Sequence, residues 1–121
     1  MLDRITATYL EIARAISRSQ LLIILARDAS LKAQLEEVLL ADAHYIRVVV
    51  IPTNDTWIRD YGPLSVEIDN CIAHLNFRFD AWGGKYDASL DDAASHALEK
   101  QQLFGCRMQH VSLVIEGGAI E

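Results

Sequence analysis

The segment Thr53-Asn54-Asp55-Thr56-Trp57-Ile58-Arg59-Asp60-Tyr61-Gly62-Pro63 carries the densest chemistry in the chain. Two carboxylates, one arginine and two aromatic rings fall within seven positions, just past an apolar stretch. Charged groups beside a buried strand are costly unless they are paired or meet a ligand. A planar cation such as guanidinium would satisfy Asp60 through a two-pronged, charge-assisted contact. Trp57 would add a cation–π contact of roughly 0.5–2 kcal/mol. The plainer alternative pairs Asp60 with Arg59 or uses it to cap a turn, with Trp57 filling the core. A second candidate is Glu116-Gly117-Gly118, directly after an apolar run. A carboxylate held at a strand end can orient a histidine, as the third member of a triad does. Two glycines permit a sharp bend or a close backbone approach. The alternative is a strand-ending turn with Glu116 in solvent. Trp82-Gly83-Gly84 is the third: a ligand wall beside a loop, or an aromatic lid on the core.

These residues need strands and helices to place them. Ile5, Tyr9, Ile12, Ala13 and Ile16 share one helical face, predicting a helix over residues 3–18. Residues 21–26 form a short, wholly apolar strand. Ser30 is the expected cap of a second helix lined by Leu31, Leu35, Val38 and Leu39. Residues 46–51 are rich in β-branched side chains and read as a strand closed by Pro52. Strand, helix, strand in this order predicts a parallel pair. Residues 53–63 read as irregular. Strands then follow at 64–68 and 71–79, joined by an Asp69-Asn70 hairpin turn. Leu75, Phe77 and Phe79 alternate with Asn76 and Arg78, which predicts one buried and one open face. A third helix begins near Ser89 with a Ser89/Asp92 capping box. Its inner face holds Leu90, Ala93, Ala94, Ala97 and Leu98, and a last strand covers 111–115. The class is α/β with a mixed sheet, and chemistry belongs in the loops at strand ends.

The 121 residues suit one domain. No apolar run approaches membrane-span length, and no signal peptide is evident at the start. A net charge of −6 with scattered basic residues argues against nucleic acid and suits a small cation. Cys71 and Cys106 lack a C-x-x-C spacing, which fits a reducing, cytoplasmic setting. The four histidines are far apart in sequence, so no metal or other cofactor is expected.

Three blocks together carry a resemblance: residues 53–63, Phe77-Arg78-Phe79-Asp80-Ala81-Trp82-Gly83-Gly84-Lys85-Tyr86, and Ile115-Glu116-Gly117-Gly118-Ala119-Ile120-Glu121. In order and separation they resemble the agmatine deiminase family. That family shares the pentein, or guanidine-modifying, α/β-propeller fold with arginine deiminases and bacterial peptidylarginine deiminases. The resemblance implies ββαβ-type modules and a single partial pentein domain over 1–121, without the C-terminal part of the fold. It implies an enzyme that converts agmatine and water to N-carbamoylputrescine and ammonia, within polyamine (putrescine) biosynthesis. Asp60 would hold the guanidinium, Trp57, Trp82 and Gly83 would shape the pocket, and Glu116 would orient the catalytic histidine. A cysteine thiolate would attack the guanidinium carbon, and water would cleave the adduct with histidine moving protons. Both of those groups are expected beyond Glu121, so the chain alone is expected to be inactive. Cys71, Cys106 and His110 do not match them and are read as structural. Asp80 and Ile58 depart from the family's usual asparagine and small residue. The alternatives are a peptidylarginine deiminase-like hydrolase or a non-catalytic domain that binds a guanidino ligand or a partner. Apolar edges are expected to drive self-association.

Overall fold

The computed structural model describes residues 2–42 and 44–121, and the chain forms two compact units, Met1–Ile51 and Pro52–Glu121. In the first unit, α1 (Leu2–Ser17), β1 (Leu22–Ala26), α2 (Ala29–Val38) and β2 (Ile46–Val50) follow in order. The two strands pair in parallel, from Leu22 opposite Ile46 to Ala26 opposite Val50, as the strand–helix–strand order predicts. Ala26, Leu39, Ile46 and Val48 are buried together, with Leu10, Leu22, Leu31 and Leu35 packed against them.

Two local expectations for this unit are corrected. Asp28, not Ser30, caps α2: its carboxylate accepts the Leu31 N–H at 2.8 Å. That bond holds the Asp28 carboxyl below the usual carboxylate range. The face of α1 is also rotated. Ile5, Tyr9 and Ile12 stand 45%, 61% and 48% exposed, whereas Ala13 and Ser17 are buried. Leu10, Ala13 and Ser17 form the inner face instead, and Arg14 beside them reaches the Val38 carbonyl at 3.2 Å and Asp42 at 3.4 Å. A hydrophobic period cannot register that polar anchor.

The second unit is a ββαβ module. β3 (Leu64–Ile68) pairs antiparallel with β4 (Cys71–Arg78), which pairs in parallel with β5 (Met108–Val114). The Asp69-Asn70 turn joins β3 to β4, and both residues have positive φ, as a tight primed turn requires. α5 (Ser89–Lys100) provides the crossover between β4 and β5. Within the segment read as irregular there is a short helix, α3 (Ile58–Tyr61), and α4 (Ala81–Gly84) is one turn after β4. Gly117–Ala119 is a 3₁₀ turn after β5.

Asn76 was expected on the open face of β4, yet only 5% of it is exposed. Its register partner His110 is bonded and stacked to residues of α5, so the helix covers that face. Alternation identifies two faces of a strand but not which one receives a helix. The Ser89/Asp92 capping box does not form either. Asp92 accepts the Phe79 N–H at 2.7 Å, and the Asn54 side chain serves the first turn of α5. No described helix is long and apolar enough to cross a membrane.

Candidate functional site

Asp60 is where the three sequence blocks meet. Its Oδ2 accepts a hydrogen bond from Trp82 Nε1 at 3.2 Å, and its Oδ1 accepts one from the Gly118 N–H at 3.0 Å. A Cβ on Gly118 would collide with the Asp60 carboxylate, and one on Gly117 with the Arg59 carbonyl. Only glycine lets the 3₁₀ turn approach α3 this closely. A carboxylate offers about four lone-pair positions, and two neutral donors occupy two of them. The half-buried group is therefore oriented while keeping acceptor capacity.

α3 holds Asp60 in place through its neighbours. Tyr61 is buried; its hydroxyl donates to the Asp55 carbonyl at 2.5 Å, and its ring packs 5.6 Å from Phe79. Burial pushes the Tyr61 hydroxyl pKa up. Arg59 donates to the Ile120 carbonyl at 3.2 Å rather than pairing with Asp60. Asp60 thus holds the Gly117–Ala119 turn at Gly118, and Arg59 holds the residue that follows it.

The loop before α3 is fixed by a reciprocal bracket. Asp91, 2% exposed, accepts the N–H groups of Asn54 and Asp55 through Oδ1 at 2.7 and 3.2 Å. In return Asn54 Oδ1 accepts the N–H groups of Leu90 and Asp91 at 2.9 and 3.3 Å. Desolvation raises the Asp91 pKa, and the two backbone donors oppose the rise.

Trp82 is delivered by an unusual backbone. Ala81, Trp82, Gly83 and Gly84 all have positive φ, between 54° and 82°. The two non-glycine residues each carry roughly 1–2 kcal/mol of left-handed strain. Compensation comes from the Asp80 carboxylate accepting the Gly83 N–H at 2.9 Å, and from ring contacts. The Trp82 indole meets Phe79 edge-on at 5.3 Å and Tyr86 at 6.2 Å. Strain concentrated beside a convergent set of polar groups is a mark of functional sites.

The comparisons with known proteins bear on this cluster. The sequence pattern of the Porphyromonas-type peptidyl-arginine deiminase family matches residues 1–121. The chain belongs to that family. Agmatine deiminase of Medicago truncatula is 31% identical over 125 residues, covering 93% of this chain and 32% of the relative. That of Stutzerimonas stutzeri (strain A1501) is 33% identical over 122 residues, covering 94% and 32%. Substrate-bound agmatine deiminase from C. jejuni superposes with a TM-score of 0.82 at 31% identity, over 99% of this chain and 34% of that one. The chain therefore spans about a third of the length of the relatives it matches. Over that third it shares the pentein architecture that the three blocks imply.

Within this peptidyl-arginine deiminase family member, Asp60, Trp82 and Gly118 are in direct contact. Gly83 adjoins Trp82 with its N–H taken by Asp80. Glu116 is half-buried at the head of the turn that supplies Gly118, and its side chain caps nothing. Trp57 starts α3 with 63% of its surface exposed. Asn54 and Asp91 were not singled out from sequence. Their signal was weak, because the two ends of the bracket are 37 residues apart.

Proposed function

We propose that the Asp60 cluster is the guanidinium-binding part of an agmatine deiminase, an amidine hydrolase. The observation that carries this reading is the convergence of Trp82 Nε1 and the Gly118 N–H on one half-buried carboxylate. Asp60 accepts two N–H groups of the planar cation and points its central carbon toward the attacking group. Trp57, with its ring free, and Trp82 supply aromatic faces for the charge. Glu116 orients the proton-transferring histidine. The relatives' names support agmatine as substrate, whereas the family description points to peptidyl-arginine. A carboxyl-terminal arginine would need a cation for its carboxylate. Arg78, the one arginine of the second block, is 3.9 Å from Asp92 and so already has an acidic partner. Agmatine has an amine there and needs no such cation.

Covalent hydrolysis needs a thiolate beside the bound guanidinium. Cys71 opens β4 at the hairpin end, and Cys106 lies in the segment before β5; neither contacts Asp60, Trp82 or Gly118. On this reading the 121-residue chain binds a guanidino compound without turning it over. The reading places it in the cytoplasm, acting on a small molecule rather than nucleic acid or membrane.

Calorimetric titration of the chain with agmatine tests this. Asp60→Asn should weaken binding by roughly tenfold or more, the worth of about 1.5–3 kcal/mol for a charge-assisted contact. Equal affinity in parent and variant would sink the assignment. Steady ammonia release by the pure chain would overturn the inactivity, leaving the binding role intact.

A further inference from the structure

Away from Asp60, the fold brings together two histidines that sequence distance keeps apart. His96 and Glu99 are three residues apart on α5 and so share a face. His110, on β5, meets them. Its Nε2 is 2.8 Å from Glu99 Oε2, and its ring stacks on that of His96 with centroids 3.8 Å apart and planes 10° from parallel. One ligand atom from each residue lies within 4.8 Å of the other two.

We propose that His96, Glu99 and His110 form a binding site for a divalent first-row transition-metal ion, with zinc(II) as the representative. Two imidazoles and one carboxylate are a donor set for zinc, cobalt, nickel or copper rather than for calcium or magnesium. A fourth position is left for water, as in open zinc sites. Ligand atoms around a tetrahedral ion with bonds of about 2.1 Å are roughly 3.4 Å apart. The Glu99–His110 pair therefore opens slightly and the exposed His96 ring turns inward. Both adjustments are rotations of surface side chains.

Asn76 provides an independent sign. It is buried, its Nδ2 is 3.1 Å from His110 Nδ1, and its Oδ1 has no partner. A buried amide oxygen left unbonded calls for an explanation. With Nδ2 donating, His110 Nδ1 is an acceptor and the ring proton sits on Nε2, where it is given to Glu99. Turning the amide by half a rotation pairs Oδ1 with an Nδ1–H, passes the unbonded state to Nδ2, and leaves the Nε2 lone pair free for a metal. One amide group is bonded to Nδ1 in either orientation, so Asn76 supports both tautomers. Holding a ligating histidine through its other nitrogen is the usual outer-shell arrangement. A cavity of about 270 Å³ bordered by Asn76, Arg78, Asp92, His96 and His110 gives room for the ion's water.

The test is titration of the chain with ZnCl₂ by calorimetry and with CoCl₂ by visible absorption, after circular dichroism has confirmed each variant's fold. One ion should bind per chain with a dissociation constant on the order of micromolar. Cobalt should give the visible bands of a four-coordinate site. His96→Ala, at an exposed position, and His110→Gln should each weaken binding about tenfold or more, a loss of at least about 1.4 kcal/mol. His74→Ala should leave binding unchanged. Millimolar binding by the folded parent, equal binding of CaCl₂, or indifference to both His96→Ala and His110→Gln would overturn the proposal.

Discussion

Asp60 and Asp91 are both acceptors of backbone or indole N–H groups, yet their burial sets them different tasks. Asp60 is half-buried and keeps acceptor positions open, which suits a ligand. Asp91 is closed off, and burial raises its pKa. A carboxyl whose folded pKa lies above its unfolded value favours folding most when protonated. Its contribution is complete below the unfolded pKa and is lost as pH rises through the folded one. Asp91→Asn removes that loss while its carbonyl still accepts the Asn54 and Asp55 N–H groups. In urea denaturation the variant should gain on the parent as pH rises from acid toward neutral. Asp91→Ala should instead cost about 1–3 kcal/mol at neutral pH, because two backbone donors lose their partner. A difference between Asp91→Asn and parent that stays flat with pH would contradict the assigned cause.

The residue before α5, Ala88, caps nothing with its side chain, so the first N–H groups of the helix depend on Asn54 and Asp87. Asn54→Ala should therefore destabilise the unit by about 1–2 kcal/mol, as loss of a strong helix cap does. Hydrogen exchange should accelerate together at residues 89–92 and in the loop carrying Asp55. Acceleration confined to the loop would show that α5 caps itself. This bracket also marks the limit of what sequence can reveal about elements. β1, β2 and the Asp69-Asn70 hairpin were readable because β-branched runs and turn residues act locally. The three blocks around Asp60 were readable as a set because they share a resemblance. The rotation of α1, the burial of Asn76 and the cap of α5 were not readable. Each depends on which distant surface a side chain meets: Val38 and Asp42 for Arg14, α5 for Asn76, and Asn54 for α5. The pairing of His96 with His110 has the same origin, a helix laid over a strand.

At the scale of the whole molecule, apolar surface remains uncovered in both units. Ile5, Tyr9 and Ile12 align at spacings of four and three along α1 and are all exposed. Single exposed apolar residues are ordinary, but a row on one helix face forms a patch that water disfavours. In the second unit β3 and β5 are the outer strands of the sheet, and Leu113 and Val114 of β5 are exposed. An outer strand with apolar side chains offers unpaired N–H and C=O groups to another copy. Self-association of the chain should follow. Sedimentation velocity across a wide concentration range should show the weight-average coefficient rising with concentration. Leu113→Lys places a charge on the outer strand, the device that natural sheets use against edge pairing. It should shift the distribution toward monomer, and Ile12→Glu on α1 should add to the shift if the helix patch also takes part. Raising salt separates this contact from a charged one: apolar burial persists or strengthens, whereas ion pairing weakens as screening grows. A single monomeric species at every concentration would end the idea. So would association that neither substitution alters, since the contact would then lie on a surface other than these two.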